Sequence, residues 1–152
     1  MTTSSRISYK VAPQVFKALL AFDASVNETG LEKSLIDLIK IRASQINGCF
    51  YCIDMHTREA RARGETEQRI YLLQSWKEVP LYSERERAAM AWTEAVTLVA
   101  DTNVPDDVYE FAHKHFSDVE LVELTLVITV INMWNRFAIS FDLQIPQAKV
   151  AP

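Results

Sequence analysis

Apolar side chains recur at helical spacing along most of this 152-residue chain. The clearest segment lies between Glu32 and Ile46, and its apolar positions are Leu35, Ile36, Leu38, Ile39, Ile41 and Ile46. Residues three or four apart share a face of an α-helix, so this segment has one broad apolar face. No segment alternates strictly between apolar and polar residues, and 3 glycines and 5 prolines are too few for the turns of a many-stranded sandwich or barrel. The pattern predicts an all-α fold.

Capping and turn residues mark the ends of the predicted helices. Pro13 suits a first helical turn, and Asn47-Gly48 tolerates the left-handed backbone that ends a helix. Ser83 stands three residues before Glu86, as in a capping box. The predicted helices cover approximately residues 13–26, 32–46, 49–63, 66–75, 84–98, 105–115 and 118–141. We expect six to seven helices in one bundle.

The composition is uniform along the chain and favours a single domain. We expect this domain at residues 13–145, after a polar N-terminal arm at residues 1–12 and before a C-terminal tail at residues 146–152. Hydrophobic residues make up 49% of the chain and charged residues 24%, which suits a globular protein with a real core.

Charge and hydropathy argue against nucleic acid and membranes as partners. The formal net charge is −4, whereas contacts to phosphates need a basic face. The first fifteen residues contain no apolar signal-peptide segment. The most apolar stretch, residues 121–141, is interrupted by Glu123, Asn132, Asn135 and Arg136. We therefore expect a cytoplasmic protein.

Cys49, Cys52 and His56 are the residues that point to chemistry. In a helix that begins near Cys49, their spacing of i, i+3 and i+7 places all three on one face. The cysteines would lie in the first turn, where free backbone N–H groups and the helix dipole favour a thiolate. The spacing supplies a nucleophile, an imidazole base and a second thiol that can resolve an oxidised first one as a disulfide. We expect Cys49, beside Gly48 at the mouth of the helix, to be the more exposed thiol.

Spacing alone leaves two other interpretations of the cysteine pair open. A zinc site would combine Cys49, Cys52 and His56 with His113 or His115, although structural zinc sites more often show a second closely spaced ligand pair. The cysteines would otherwise be two inert core thiols. A thioredoxin fold is disfavoured, because its CxxC motif follows a strand and here a helix precedes the motif.

The residues around the cysteines resemble a known family. Residues 37–58 read DLIKIRASQINGCFYCIDMHTR, and residues 131–137 read INMWNRF. Both segments closely resemble the AhpD-like alkylhydroperoxidases of the carboxymuconolactone decarboxylase superfamily, and the resemblance covers about residues 13–141. It implies an all-helical fold, homo-oligomers in the form of trimers or hexamers, and thiol-dependent reduction of hydroperoxides. No cofactor and no metal are expected.

The resemblance also implies roles for four residues. Cys52 matches the cysteine that attacks the peroxide, Cys49 matches the resolving cysteine, and His56 matches the relay histidine. The relay carboxylate, a glutamate in the family's best-known members, falls on Asp37, which is one methylene shorter. A dithiol reductant of the lipoyl or thioredoxin type would supply the electrons.

A second class of function uses the same motif differently. A redox-sensing or stress-response protein would form the disulfide between Cys49 and Cys52 as a switch, without fast peroxide turnover. The apolar-rich helical stretch at residues 121–141 exceeds what one small domain readily covers, which independently favours association of identical chains.

Overall fold

The computed structural model describes residues 5–145, which form eight α-helices and no strand. The α-helices are α1 (Pro13–Ala24), α2 (Lys33–Asn47), α3 (Phe50–Ala62), α4 (Glu67–Leu72), α5 (Glu84–Thr97), α6 (Val99–Thr102), α7 (Asp106–His113) and α8 (Asp118–Ser140). Three 3-10 helices lie at Tyr9–Val11, Ser25–Glu28 and Leu73–Ser75. The all-α prediction is confirmed. The predicted tail at residues 146–152 and the first four residues of the arm lie outside the described residues.

The short helix α6 is the one α-helix of the described residues that the sequence pattern does not indicate. It has four residues, follows α5 after Leu98, and ends at Asn103, whose left-handed backbone has a φ of 49°. A single turn is too short to show a helical period, so periodicity cannot detect it. The predicted capping box at the start of α5 is present, because the side chains of Ser83 and Glu86 each bond the backbone of the other.

Helix α2 lies at the centre of the bundle and packs against α3, α5 and α8. Its predicted apolar face is buried except at the half-buried Ile46, and Leu38, Ile39 and Ile41 have no exposed surface. Burying a side chain of this size stabilises the fold by roughly 1.5–3 kcal/mol. A separate core cluster contains both cysteines together with residues of α2 and α8. The cysteines therefore lie where α2, α3 and α8 meet.

Helix α8 is long and apolar enough, by length and composition, to cross a membrane. The core helix of a soluble protein passes the same test, and 44% of the apolar window of α8 is buried inside this fold. Its buried amides Asn132 and Asn135 are hydrogen-bonded to α2 and α5. The expectation of no membrane partner stays a prediction.

Helix α1 has no buried residue, and Val15, Leu20 and Phe22 are exposed. Its Phe16 ring packs edge-on against Phe137 of α8, with ring centroids 5.7 Å apart. The segment before α1 is attached to the end of α8, because the backbone N–H of Arg6 donates to the Phe141 carbonyl at 2.8 Å. Together this segment and α1 lie across one end of α8.

Candidate active site

The cysteine motif begins at the junction between α2 and α3. Helix α2 ends at Gly48, whose φ of 68° is the left-handed conformation that Asn47-Gly48 predicts. The Cys49 N–H donates to the Ser44 carbonyl at 2.9 Å, as in a Schellman ending. Cys49 is then the N-cap of α3, because its sulfur accepts the Cys52 N–H at 3.4 Å. Both sulfurs therefore lie at the N-terminus of α3.

The two thiols share a hydrogen bond and differ in acidity. Both cysteines are free, and their sulfur atoms lie 2.6 Å apart. The pKa of Cys49 is lowered to about 7, first by the hydrogen bond with the Cys52 thiol and further by the Cys52 backbone N–H. The pKa of Cys52 is raised, first by the same bond with Cys49 and then by burial. The pair therefore loses its first proton from Cys49.

Cys52, and not Cys49, is the thiol that a small molecule can approach. Each cysteine is only 1% exposed, so the expectation that Cys49 is the more exposed thiol is wrong. A cavity of about 480 Å³ is lined by Cys52 and His56 but not by Cys49. The reason is packing, because Cys49 lies in the core cluster with Ile131 and Ala138 of α8.

His56 lines the same cavity and is buried. Its Nδ1 is hydrogen-bonded to Oε2 of Glu59 at 3.1 Å, one turn further along α3. The pKa of His56 is lowered, first by burial and then by the positive charge of Lys40, against the opposing effect of Glu59. The imidazole is therefore neutral at pH 7 and can accept a proton. Glu59 is not among the predicted site residues, although its helical spacing of three from His56 could have revealed it.

Asp37, the predicted relay carboxylate, is buried on α2 and bound by Arg63 at the end of α3. Arg63 Nε donates to Asp37 Oδ2 at 2.7 Å, and Arg63 Nη2 donates to Oδ1. Arg63 Nη2 also lies 3.6 Å from Glu59 Oε2. Among the described residues, Glu59 is the hydrogen-bond partner of His56, while Asp37 acts on His56 through its charge. Asp37 is thus connected to His56 through Arg63 and Glu59.

A network of buried side-chain amides lies behind the sulfurs. Asn135 of α8 donates from Nδ2 to Ser44 Oγ at 3.1 Å and accepts the Nδ2 of Asn47 at 2.8 Å. Asn47 Nδ2 also donates to Asn132 Oδ1 at 3.0 Å. Hydrogen bonding of Asn135 to the sulfurs lowers the pKa of both cysteines. Asn135 therefore belongs to the site, although it is not among the predicted site residues.

The zinc interpretation finds no assembled ligand set. Within residues 5–145, no group of three or more His, Cys, Asp or Glu side chains is placed to hold a metal ion. His113 lies 3.5 Å from Asp118 and stacks on Tyr109, while His115 packs edge-on against Phe111. These two imidazoles therefore interact with the residues around them on α7 and at the start of α8.

Comparisons with known proteins agree with the fold. The model of the carboxymuconolactone decarboxylase family matches residues 13–95. The uncharacterized protein YdfG of Bacillus subtilis (strain 168) is 43% identical over 138 residues, which cover 90% of this chain and 94% of YdfG.

Solved structures extend the likeness over nearly the whole chain. One is a protein of unknown function from Agrobacterium tumefaciens, proposed to be the antioxidant defence protein AhpD. It has a TM-score of 0.93 and 48% identity, covering 95% of this chain and 100% of that one. The debrominase Bmp8 has a TM-score of 0.79 over 96% of this chain and 93% of its own, but at 17% identity it shows the fold alone.

The family match spans more than half of the chain, and the relatives at 43% and 48% identity cover nearly all of it. The all-α fold matches that of the Agrobacterium protein over nearly its whole length. The chain belongs to the carboxymuconolactone decarboxylase family, as an AhpD-like member.

Proposed function

We propose that the protein is a thiol-dependent peroxidase of the AhpD-like alkylhydroperoxidase type, acting through Cys49 and Cys52. The observation that carries the proposal is a dithiol with sulfurs 2.6 Å apart, of which Cys52 shares a cavity wall with His56. A hydroperoxide in that cavity meets a sulfur nucleophile and a neutral base together. The proposed antioxidant role of the Agrobacterium relative supports the same activity.

The reaction begins at Cys52, because this sulfur faces the cavity. His56 accepts the proton of the Cys52 thiol, and the thiolate attacks the terminal oxygen of the hydroperoxide ROOH. The O–O bond breaks, Cys52 becomes a sulfenic acid, and the departing RO⁻ takes the proton from His56 as ROH. Cys49 then attacks the Cys52 sulfur, and the sulfenic oxygen leaves as water. Two thiols and ROOH thus yield one disulfide, ROH and water.

The lowered pKa of Cys49 suits the second step. At a pKa of about 7, much of Cys49 is thiolate at neutral pH and ready to attack the sulfenic acid. Cys52 has the higher pKa, so its proton needs an acceptor before the first step can occur. His56 lines the same cavity as Cys52 and is proposed to be that acceptor, so its loss is expected to slow the attack by Cys52.

Glu59 and Asp37 are proposed to support His56 without touching the peroxide. Donation from His56 Nδ1–H to the Glu59 carboxylate fixes the ring orientation and leaves Nε2 to exchange the proton. Asp37 holds Arg63, and Arg63 in turn lies beside Glu59. The relay carboxylate of the family resemblance is thereby proposed to act on His56 indirectly.

The reductant is proposed from the family resemblance, and association with identical chains is proposed from the resemblance and from the exposed surface of α1. A dithiol of the lipoyl or thioredoxin type reduces the disulfide after each cycle. The exposed apolar residues of α1, Val15, Leu20 and Phe22, are proposed to be covered in a homotrimer or homohexamer. The compartment is proposed to be the cytoplasm, where thiols stay reduced.

A peroxide-consumption assay with dihydrolipoamide or thioredoxin as donor tests the function. The wild-type protein is expected to consume an organic hydroperoxide catalytically, and Cys52→Ser is expected to consume none above background. Cys49→Ser is expected to form a sulfenic acid that a dimedone-type reagent captures, without releasing a disulfide.

Two outcomes would contradict the proposal. Turnover by Cys52→Ser at the wild-type rate would remove Cys52 from the reaction. Stoichiometric disulfide formation without catalysis, with either donor, would favour the redox switch.

A further inference from the structure

The cavity beside Cys52 is far larger than hydrogen peroxide requires. Its volume of about 480 Å³ lies in the usual range of small-molecule sites, roughly 300–1,000 Å³, whereas a water molecule has a share of about 30 Å³. Most of its wall is apolar, with the rings of Phe16, Trp134, Phe137 and Phe141 among the lining residues. Such a wall suits a ligand with an extended apolar body.

Lys40 of α2 is the cation in the lining of this cavity. Its side chain is half-buried, and in the described part of the chain its ammonium has no hydrogen bond or ion pair. The nearby carboxylate Asp37, one turn earlier on α2, is occupied by both arms of the Arg63 guanidinium. Lys40 is close enough to His56 for its charge to lower the pKa of the imidazole.

The two carboxylates in the lining do not neutralise Lys40, because each has another partner. Asp23 Oδ1 accepts the indole N–H of Trp134 at 3.0 Å. Glu59 Oε2 is bonded to His56 Nδ1 at 3.1 Å and lies 3.6 Å from Arg63 Nη2. A half-buried ammonium in an apolar wall, with no carboxylate bonded to it, is stabilised most by an anionic ligand group.

We propose that the cavity binds amphipathic carboxylates, with the apolar body against the aromatic wall and the carboxylate on the Lys40 ammonium. The reducible substrate is then a hydroperoxide that carries a carboxylate, of the fatty-acid hydroperoxide class. This second statement rests on the proposed peroxidase function, whereas the binding statement does not. Lys40 is thereby a substrate-binding residue that sets specificity.

Binding of octanoate and 1-octanol to reduced protein, measured by calorimetry at about pH 8, tests the site without turnover. At that pH His56 is neutral with or without the charge of Lys40. Octanoate is expected to bind about 10-fold or more tightly than 1-octanol, as one charge-assisted hydrogen bond would give. Lys40→Met is expected to abolish this preference, and Lys40→Arg to keep most of it. Lys33→Met, an exposed lysine of the same helix, is the matched control and should bind as wild type does.

A second measurement compares turnover of a fatty-acid hydroperoxide with turnover of its methyl ester. The wild-type kcat/KM is expected to be higher for the acid than for the ester. In Lys40→Met, the kcat/KM for the acid is expected to fall about 10-fold relative to that for the ester. Equal affinity of octanoate and octanol, or an octanoate preference that survives Lys40→Met in folded protein, would overturn the site. Selective octanoate binding with no turnover of either hydroperoxide would keep the site and refute the peroxidase function instead.

Discussion

Arg63 binds both carboxylate oxygens of the buried Asp37, and the same guanidinium lies 3.6 Å from the Glu59 carboxylate that holds His56. Two carboxylates near one imidazole therefore have different tasks. Glu59 makes the direct bond, and Asp37 positions the arginine between them. In the proposed mechanism Asp37 does not need to reach the imidazole, so an aspartate suffices at the position where the family resemblance implies a glutamate.

Removing Arg63 should destabilise the protein by leaving Asp37 buried and unpaired. Arg63→Met is expected to lower the free energy of unfolding by about 2 kcal/mol, the usual cost of losing hydrogen bonds to a buried charge. Arg61→Met, which removes an exposed pair with Glu67, should cost about 0.5 kcal/mol or less. Urea unfolding measures both. If Arg63→Met with Asp37→Leu costs as much as the sum of the single variants, the two residues are not coupled.

Loss of the His56 base should slow the attack by Cys52. His56→Gln is expected to reduce peroxide turnover by on the order of 10²-fold, as general bases usually contribute. It should leave Cys49 and Cys52 able to form a disulfide with a strong oxidant, because that reaction does not depend on the relay. Glu59→Gln should lose less, since Glu59 only orients the ring. Wild-type turnover in His56→Gln would show that the helix N-terminus alone activates Cys52.

The acidity of Cys49 should depend on its partner thiol. Ultraviolet absorbance of the thiolate is expected to report an apparent pKa of about 7 in the wild-type protein. Cys52→Ala should move the transition to higher pH, because the hydrogen bond from Cys52 is the main cause of the lowered pKa. Cys49→Ala should leave no thiolate at neutral pH, because burial still raises the pKa of Cys52. An unchanged transition in Cys52→Ala would assign the acidity to the helix N-terminus instead.

Asn135 should act on both the reactivity and the stability of the site. Asn135→Leu is expected to raise the pKa of Cys49, because a hydrogen bond to the sulfur is lost. It should also lower the free energy of unfolding by about 1–3 kcal/mol, since buried polar partners such as Ser44 lose a bond. Thiolate titration and urea unfolding of the same sample separate the two effects. A loss of stability with no change in the pKa of Cys49 would limit Asn135 to a structural role.

The buried imidazole of His56 should make stability fall in mild acid. Its pKa lies below the ordinary value of 6.5, so between the two values the unfolded chain binds more protons than the folded one. The contribution of His56 to the free energy of unfolding is therefore expected to be fully present above pH 6.5 and to be lost as the pH falls through that window. In His56→Gln, the free energy of unfolding should decrease less over the same pH range. The pKa of Glu32 is lowered first by its hydrogen bond with Arg85, and the pKa of Glu120 first by the backbone N–H of Ser117. These two carboxylates therefore change the stability only at lower pH.

Local rules were enough to predict much of the framework. The apolar period of α2, the left-handed turn at Gly48 and the capping box of Ser83 and Glu86 all depend on residues within a few positions of one another. The placement of both cysteines at the start of α3 follows from the same local geometry. Those features are correct because hydrogen bonds of a helix and its caps join neighbours in the chain.

Tertiary packing decides most of the contacts that the site residues make. Arg63 reaches Asp37 across 26 residues, Asn135 reaches Asn47 across 88, and Trp134 reaches Asp23 across 111. The burial of Cys49 under α8, and the cavity that Cys52 lines, exist only once the helices pack. The sequence by itself determined which helices form and that two thiols and an imidazole share the first turns of one of them. Which thiol lines the cavity, how Asp37 is paired and which cation is left free depend on contacts between distant segments, and no local spacing specifies those.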